Sequence, residues 1–196
     1  MIWCRRRISG SWQSIERVNT YTGYSAYYPS IHVDSGGSRV HVTWSQPPSG
    51  SYYRRIWYRS RPTTSGSWGT VEQVSPSDMN NYSQYNPDIW AMNNGEVHVV
   101  WYGPRNGNTR NNIYSRHRNT SGSWDTREAI TSTTTGYCYR PHIAAEPDGK
   151  LHVVFYGRLL SSYYDYYYAK GTPPMAKDVG VSSILSPLKE QPGRGS

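Results

Sequence analysis

The residues Ser-Gly-Ser-Trp occur three times in this 196-residue chain, at 9–12, 65–68 and 121–124, so successive copies stand 56 residues apart. Aligning the copies brings far more into register. An aromatic, arginine-bearing run precedes each one: "IWCRRR" (2–7), "IWYRSR" (56–61) and "IYSRHR" (113–118). A glutamate stands four residues after each tryptophan: Glu16, Glu72 and Glu128. Polar, tyrosine-rich stretches then end in "YYPSI" (27–31), "YNPDI" (85–89) and "YRPHI" (139–143), followed by "RVHVTW" (39–44), "EVHVVW" (96–101) and "KLHVVF" (150–155). The periods range from 53 to 58 residues. A unit of this size is a supersecondary element too small to bury its own face, so neighbours must stack to share a core.

Each unit holds four strand-like runs, here called A ("PDIWAM"), B ("EVHVVW"), C ("IYSRHR") and D ("SWDTREAI"). Apolar residues alternate with period two, which excludes the helical repeats. The 19 Tyr and 8 Trp in a chain only 35% hydrophobic suit half-buried pleated surfaces, and the fold class is all-β. Four short antiparallel strands per repeat describe the blade of a β-propeller. The blade parts expected are 2–18, 29–74, 87–130 and 141–170, about three blades in all. Since propellers close with about 4–8 blades, this reads as half of a six-bladed ring. The ring would be completed by further blades of the same protein or by a second copy, and "MIWCRRR" enters a strand pattern at once, with no signal peptide in this chain.

These runs resemble the sialidase-like propellers of bacterial secreted proteins, the kind carrying BNR or Asp-box repeats, whose blades read "P-x-I … G-x-V-H-V-V-W … I-Y-Y-R … G-x-x-W". The resemblance covers residues 2–170. The Asp-box S-x-D-x-G-x-T-W is degenerate here, since Thr64-Ser65-Gly66-Ser67-Trp68 lacks the aspartate. Residues 171–196 change texture: a Pro-rich linker leads to "DVGVSSILSP" (178–187), which resembles the first strand of the Ig-like modules that follow such propellers and is not expected to fold as a domain. The resemblance implies an extracellular or cell-surface location.

The net charge of +8 invites an anionic partner, but much of the excess is Arg at repeated strand positions, where local pairing is expected. No nucleic-acid motif stands out, no apolar run is long enough to span a membrane, and no cofactor is implied. Cys4 and Cys138 lie at unrelated places in the repeat, free or bridged, and no Cys/His spacing suggests a metal. The turns at Asp34 and Asp148 read as hairpins, not calcium loops.

If strand A runs from one face of the ring to the other, the long D–A and B–C loops share a face and the short A–B and C–D turns share its opposite. Variable loops on a repeated scaffold carry binding, and tyrosine stacks on flat ligands at low entropic cost. The ligand-binding candidates are Tyr24, Tyr27, Tyr28, Tyr82, Tyr85, Arg105, Asn108, Tyr137, Tyr139 and Arg140, with a glycan or an extracellular protein as partner. Residues recurring in every blade read as scaffold: Glu16, Glu72 and Glu128; His41, His98 and His152; and the paired arginines Arg5/Arg7, Arg59/Arg61 and Arg116/Arg118. Asp34, Glu146 and Asp148 fall in the short turns. Asp78 and Asp165 remain as loop carboxylates, with Asp88 at the start of strand A as a third. The sialidase resemblance would ask for an arginine cluster, a Tyr nucleophile with a Glu partner and an acid/base Asp. Of these only Arg140 finds a counterpart, so catalysis is not expected from this chain. The expected function is a noncatalytic carbohydrate- or protein-binding module. A sialidase-type hydrolase with its catalytic residues in other blades, or an architectural spacer, are the alternatives.

Overall fold

The structure is a computed structural model that describes residues 1–159 and 163–171, together with the backbone of 184–185. An incomplete blade comes first, built from β1 (Trp3–Cys4), β2 (Arg7–Ile8), β3 (Ser11–Trp12) and β4 (Glu16–Arg17), a C–D hairpin interrupted midway. Three four-stranded antiparallel sheets follow. They comprise β5 (Tyr27–Val33), β6 (Arg39–Gln46), β7 (Arg55–Pro62) and β8 (Glu72–Gln73); β9 (Tyr85–Ala91), β10 (Val97–Arg105), β11 (Asn108–Arg118) and β12 (Glu128–Ala129); and β13 (Tyr137–Ala145), β14 (Leu151–Arg158), β15 (Asp165–Gly171) and β16 (Ile184–Leu185). Strands within each sheet pair in sequence order, and the helical content among the described residues is one 3₁₀ turn, Ser77–Met79.

The segment read as the start of an Ig-like module lies mostly outside the described residues. Its Ile184 and Leu185 are described, and they pair with Ala169 and Tyr168 as the outermost strand of the last blade.

The core lies between the sheets. Val40, Val42 and Trp44 of β6 pack against Ile2 and Val18 of the incomplete blade. Ile56 and Tyr58 meet Ile89, Val99 and Trp101 across the next wedge, and Val100 and Ile113 meet Ile143, Val153 and Phe155 across the last. At the two ends of the arc, Ile31 and Val33 on one side and Val154 and Tyr166 on the other stay exposed. Apolar surface left open at both ends is the consequence of stacking without closure.

The recurring Ser-Gly-Ser-Trp is the C–D turn. Its glycine takes positive φ in every copy (84° at Gly10, 102° at Gly66, 86° at Gly122), a conformation that a side chain resists. The tryptophan and the repeated charges then join consecutive blades. Arg118 donates from Nε and a terminal nitrogen to the two carboxylate oxygens of Glu72, both at 2.9 Å, and Trp124 Nε1–H donates to the same carboxylate at 2.8 Å. Arg61 pairs with Glu16 one blade earlier. Arg59 and Arg116 reach back to the Val18 and Val74 carbonyls at 2.6 and 2.7 Å. Arg59, Arg61, Arg116 and Arg118 thus bind one blade to the one before it. Both cysteines are free, and no described helix is long and apolar enough to cross a membrane.

Candidate functional site

The three complete sheets place their first strands, β5, β9 and β13, side by side, and all three carry the same irregularity. Pairing with the second strand skips a residue between Tyr27 and Ser30, around Asn86–Pro87, and between Tyr139 and His142. At each skip a non-glycine residue before proline has positive φ: Tyr28 at 55°, Asn86 at 44° and Arg140 at 48°. Residues held there are strained, and such bulges cluster at functional sites because they re-aim side chains.

The bulges converge on an open depression of about 280 Å³ formed by Tyr28-Pro29-Ser30, Asn86-Pro87-Asp88 and Arg140-Pro141-His142. The residue after each proline is Ser30, Asp88 and His142. The Ser30 hydroxyl donates to Asp88 Oδ1 at 2.6 Å, and the Ile143 N–H donates to Asp88 Oδ2 at 3.0 Å. His142 Nδ1 stands 3.5 Å from the same carboxylate, with its side chain 75% exposed. Asp88 thus ties three adjacent inner strands together and presents one carboxylate to the depression.

Tyr28 lines it, and a cluster of aromatic rings adjoins it. Tyr102, within the long β10, stacks on Tyr85 at 5.4 Å and meets Tyr139 edge-on at 5.3 Å. Tyr139 continues the cluster to Tyr137, Tyr156 and Tyr164. Burial, with Tyr28 and Tyr85 beside it, pushes the Tyr102 hydroxyl up to about 12. A second hollow of about 380 Å³ adjoins, lined in part by Tyr24, Tyr27, Tyr52 and Tyr85, where the Arg54 guanidinium sits 4.3 Å from the Tyr27 ring centre and 5.5 Å from that of Tyr85. Rings with cations over their faces make a surface that can stack on a sugar and bond its hydroxyls.

Most sequence-derived candidates belong to this surface: Tyr24, Tyr27, Tyr28, Tyr85, Tyr137, Tyr139 and Arg140 line it or join its ring cluster. Others fall elsewhere. Arg105 and Asn108 are not in a long loop; they pair across a two-residue Asn106-Gly107 turn that extends β10 and β11. Asn-Gly is the strongest short hairpin signal, and it was there to be read. Asn108 is 9% exposed and donates to the Thr133 carbonyl at 3.0 Å, which makes it structural. Asp78 is paired with Arg127 at 2.7 Å. Asp165 opens β15 opposite Gly157. Tyr82 follows the 3₁₀ turn, its N–H on the Met79 carbonyl.

Sequence reasoning missed Ser30, His142, Tyr52, Arg54, Tyr102 and Tyr156. A usable signal existed for two of them. The position after each proline changes from Ser to Asp to His while its neighbours repeat, and variation inside a fixed scaffold marks what the scaffold does not need.

Among solved structures, an α-L-arabinanase from Penicillium chrysogenum, complexed with arabinobiose, matches with a TM-score of 0.67 at 17% identity, over 93% of this chain and 57% of that one. An endo-arabinase from Bacteroides thetaiotaomicron matches at 0.52 and 14%, over 83% and 60%. The fold is a β-propeller. The chain spans less than two thirds of the length of either neighbour. These neighbours are arabinanases, not sialidases, so the comparison carries the propeller and not the sialidase type or the six-bladed ring. No family model and no curated protein matches the chain.

Proposed function

We propose that this propeller segment binds carbohydrate on the face that carries the D–A loops, across the bulged inner strands. The reading rests on one observation above the others: Tyr102 lies among Tyr85, Tyr139, Tyr28 and Arg140, which come from all three complete blades, at the edge of a depression that holds Asp88 and His142. A sugar ring lying over the exposed Tyr28, which lines the depression, would have Asp88 as acceptor and His142 and Arg140 as donors for its hydroxyls. That the matched propellers are arabinanases supports a pentose-containing glycan as the first class to try. An extracellular or cell-surface site of action accords with this reading.

The binding is noncatalytic as far as the described residues go. Glycosidases need two carboxyl groups about 5–10 Å apart, and the depression holds Asp88 alone among the described residues, with both oxygens already accepting hydrogen bonds. A hydrolase remains the second reading because Asp88 sits at the bulge of an inner strand in a fold shared with arabinanases, and further blades could bring the missing carboxylate. A sialidase would instead ask several arginines to converge, and among the described residues Arg140 is the one arginine lining the depression. The test is a glycan array followed by titration of arabino-oligosaccharides, with reducing-sugar release measured in parallel. Binding without release supports the module, release supports the hydrolase, and neither binding nor release rejects both.

A further inference from the structure

The short-turn face of the middle blade departs from the repeat at several positions at once. In the first blade the buried His41 places Nδ1 2.8 Å from the Tyr58 hydroxyl and Nε2 3.9 Å from Asp34. In the last, His152 is held by the Tyr168 hydroxyl and by Glu146, both at 2.6 Å. In the middle blade Ser115 replaces the tyrosine and Met92 replaces the carboxylate. His98 is left 2% exposed, with Nε2 buried and without a hydrogen-bond partner.

Directly across the strand pair stands His117, where the other blades have Ser60 and Lys170. The two rings stack at 4.6 Å and 18°. His117 Nδ1 lies 2.7 Å from Asp125 Oδ2, and Asn119 donates to the other oxygen of Asp125 at 3.3 Å. That carboxylate holds the proton on Nδ1 and leaves the lone pair on Nε2. Nε2 of His117 is also buried without a hydrogen-bond partner, 3.7 Å from Glu96 Oε2. Glu96 in turn occupies the place of Arg39 and Lys150, each of which accepts at its carbonyl the N–H that closes the same A–B turn. The other blades thus have a side-chain cation at a position where the middle blade has a carboxylate.

We propose that Glu96, His98 and His117 bind a divalent transition-metal ion of the zinc class, with Asp125 orienting His117. Donor atoms of the three residues lie within 4.8 Å of one another. Zinc bonds of about 2.0–2.2 Å in a tetrahedron set ligand atoms about 3.3 Å apart, so the half-exposed Glu96 carboxylate must swing inward and the two stacked imidazoles must turn until their Nε2 lone pairs converge on the ion. Two imidazoles and one carboxylate suit zinc over calcium or magnesium, which take oxygen ligands. The ion would clasp the ends of β10 and β11 on the face opposite the tyrosine-rich surface.

The experiment is calorimetric titration of zinc chloride into the tag-free, chelator-stripped chain, with thermal unfolding followed with and without the ion. One ion per chain and a raised midpoint are expected. His117→Ser restores the residue of the first blade and should weaken binding at least tenfold, as should Glu96→Gln. Asp125→Asn should weaken it by about 10–100-fold, and Cys4→Ser should leave it unchanged. No binding overturns the proposal, and so does binding that survives both His117→Ser and Glu96→Gln or vanishes with Cys4→Ser. If His117→Ser fails to fold, Glu96→Gln and the visible spectrum of the cobalt-substituted wild type decide: a tetrahedral spectrum lost in Glu96→Gln supports the site, and one unchanged in it does not.

Discussion

Glu72 and Glu128 occupy the same place in successive blades and meet opposite fates, which makes them a matched pair for testing how the blades are held together. Glu72 accepts two hydrogen bonds from Arg118 and one from Trp124, and the side chains of the ion pair are 24% and 22% exposed. Exposed pairs contribute about 0–1 kcal/mol, and breaking a buried one costs about 3–5 kcal/mol. Geometry between these limits gives about 2 kcal/mol for Glu72→Gln, where the new amide also turns an N–H toward the guanidinium. For a chain of this length that lowers the melting midpoint by about 4–8 °C. Glu128 finds Gly171 at the position of Arg118, and its one hydrogen bond among the described residues is from the Ser115 hydroxyl at 3.3 Å. Burial pushes its carboxyl above the ordinary range. The folded state therefore keeps this proton longer than the unfolded chain does, and the resulting penalty is absent below about pH 4 and grows as pH rises through the folded value. Glu128→Gln should leave stability unchanged or raised at pH 7, and should match wild type at pH 3.5. Differential scanning fluorimetry and urea unfolding at both pH values measure this. Equal destabilisation by the two substitutions at neutral pH would refute the inter-blade lock.

Other outcomes follow from single contacts. Burial opposes ionisation of Glu16, yet Arg61 and Arg6 outweigh it and hold the carboxyl below its usual range. Its stabilising contribution is present above the ordinary glutamate pKa and lost as pH falls through the lower folded value, so Glu16→Gln should flatten the acid limb of the stability profile. A side chain at Gly157 would meet the Tyr137 carbonyl and the Cys138 Cα, both backbone. Gly157→Ala should thus cost about 1–3 kcal/mol in urea unfolding, and a neutral result would mean the β13–β14 approach is looser than described. Cys138 is fully buried and its thiol is pushed up to about 11 by burial, whereas Cys4 is partly accessible. A thiol reagent at pH 8 should label Cys4 well before Cys138, and equal rates would contradict this packing.

The blades were legible in the sequence because each reports itself more than once: the glycine turn, the alternating strand and the proline at the head of strand A recur in register. The scaffold role of Arg59, Arg116 and Glu72 was legible for the same reason. What escaped is what repetition cannot show. The extension of β10 and β11 into one long hairpin is specific to the middle blade, so Asn108 read as loop while its side chain is buried against Thr133. Ser30, Asp88 and His142 gain full meaning only when three strands distant in sequence lie side by side; the change from Ser to Asp to His after each proline marks the position, but not that the three side chains meet. Tyr102 was hidden because β10 continues past the repeated run that ends at Trp101, although its ring draws the tyrosine cluster together.

The account is tested most directly by a crystal structure of the chain with the tightest-binding oligosaccharide from the array. It predicts a sugar ring against Tyr28, with hydroxyls within hydrogen-bond distance of Asp88 and His142. A glycan seated on the short-turn face or against the outer strands would contradict it, as would a chain that binds no glycan at millimolar concentration.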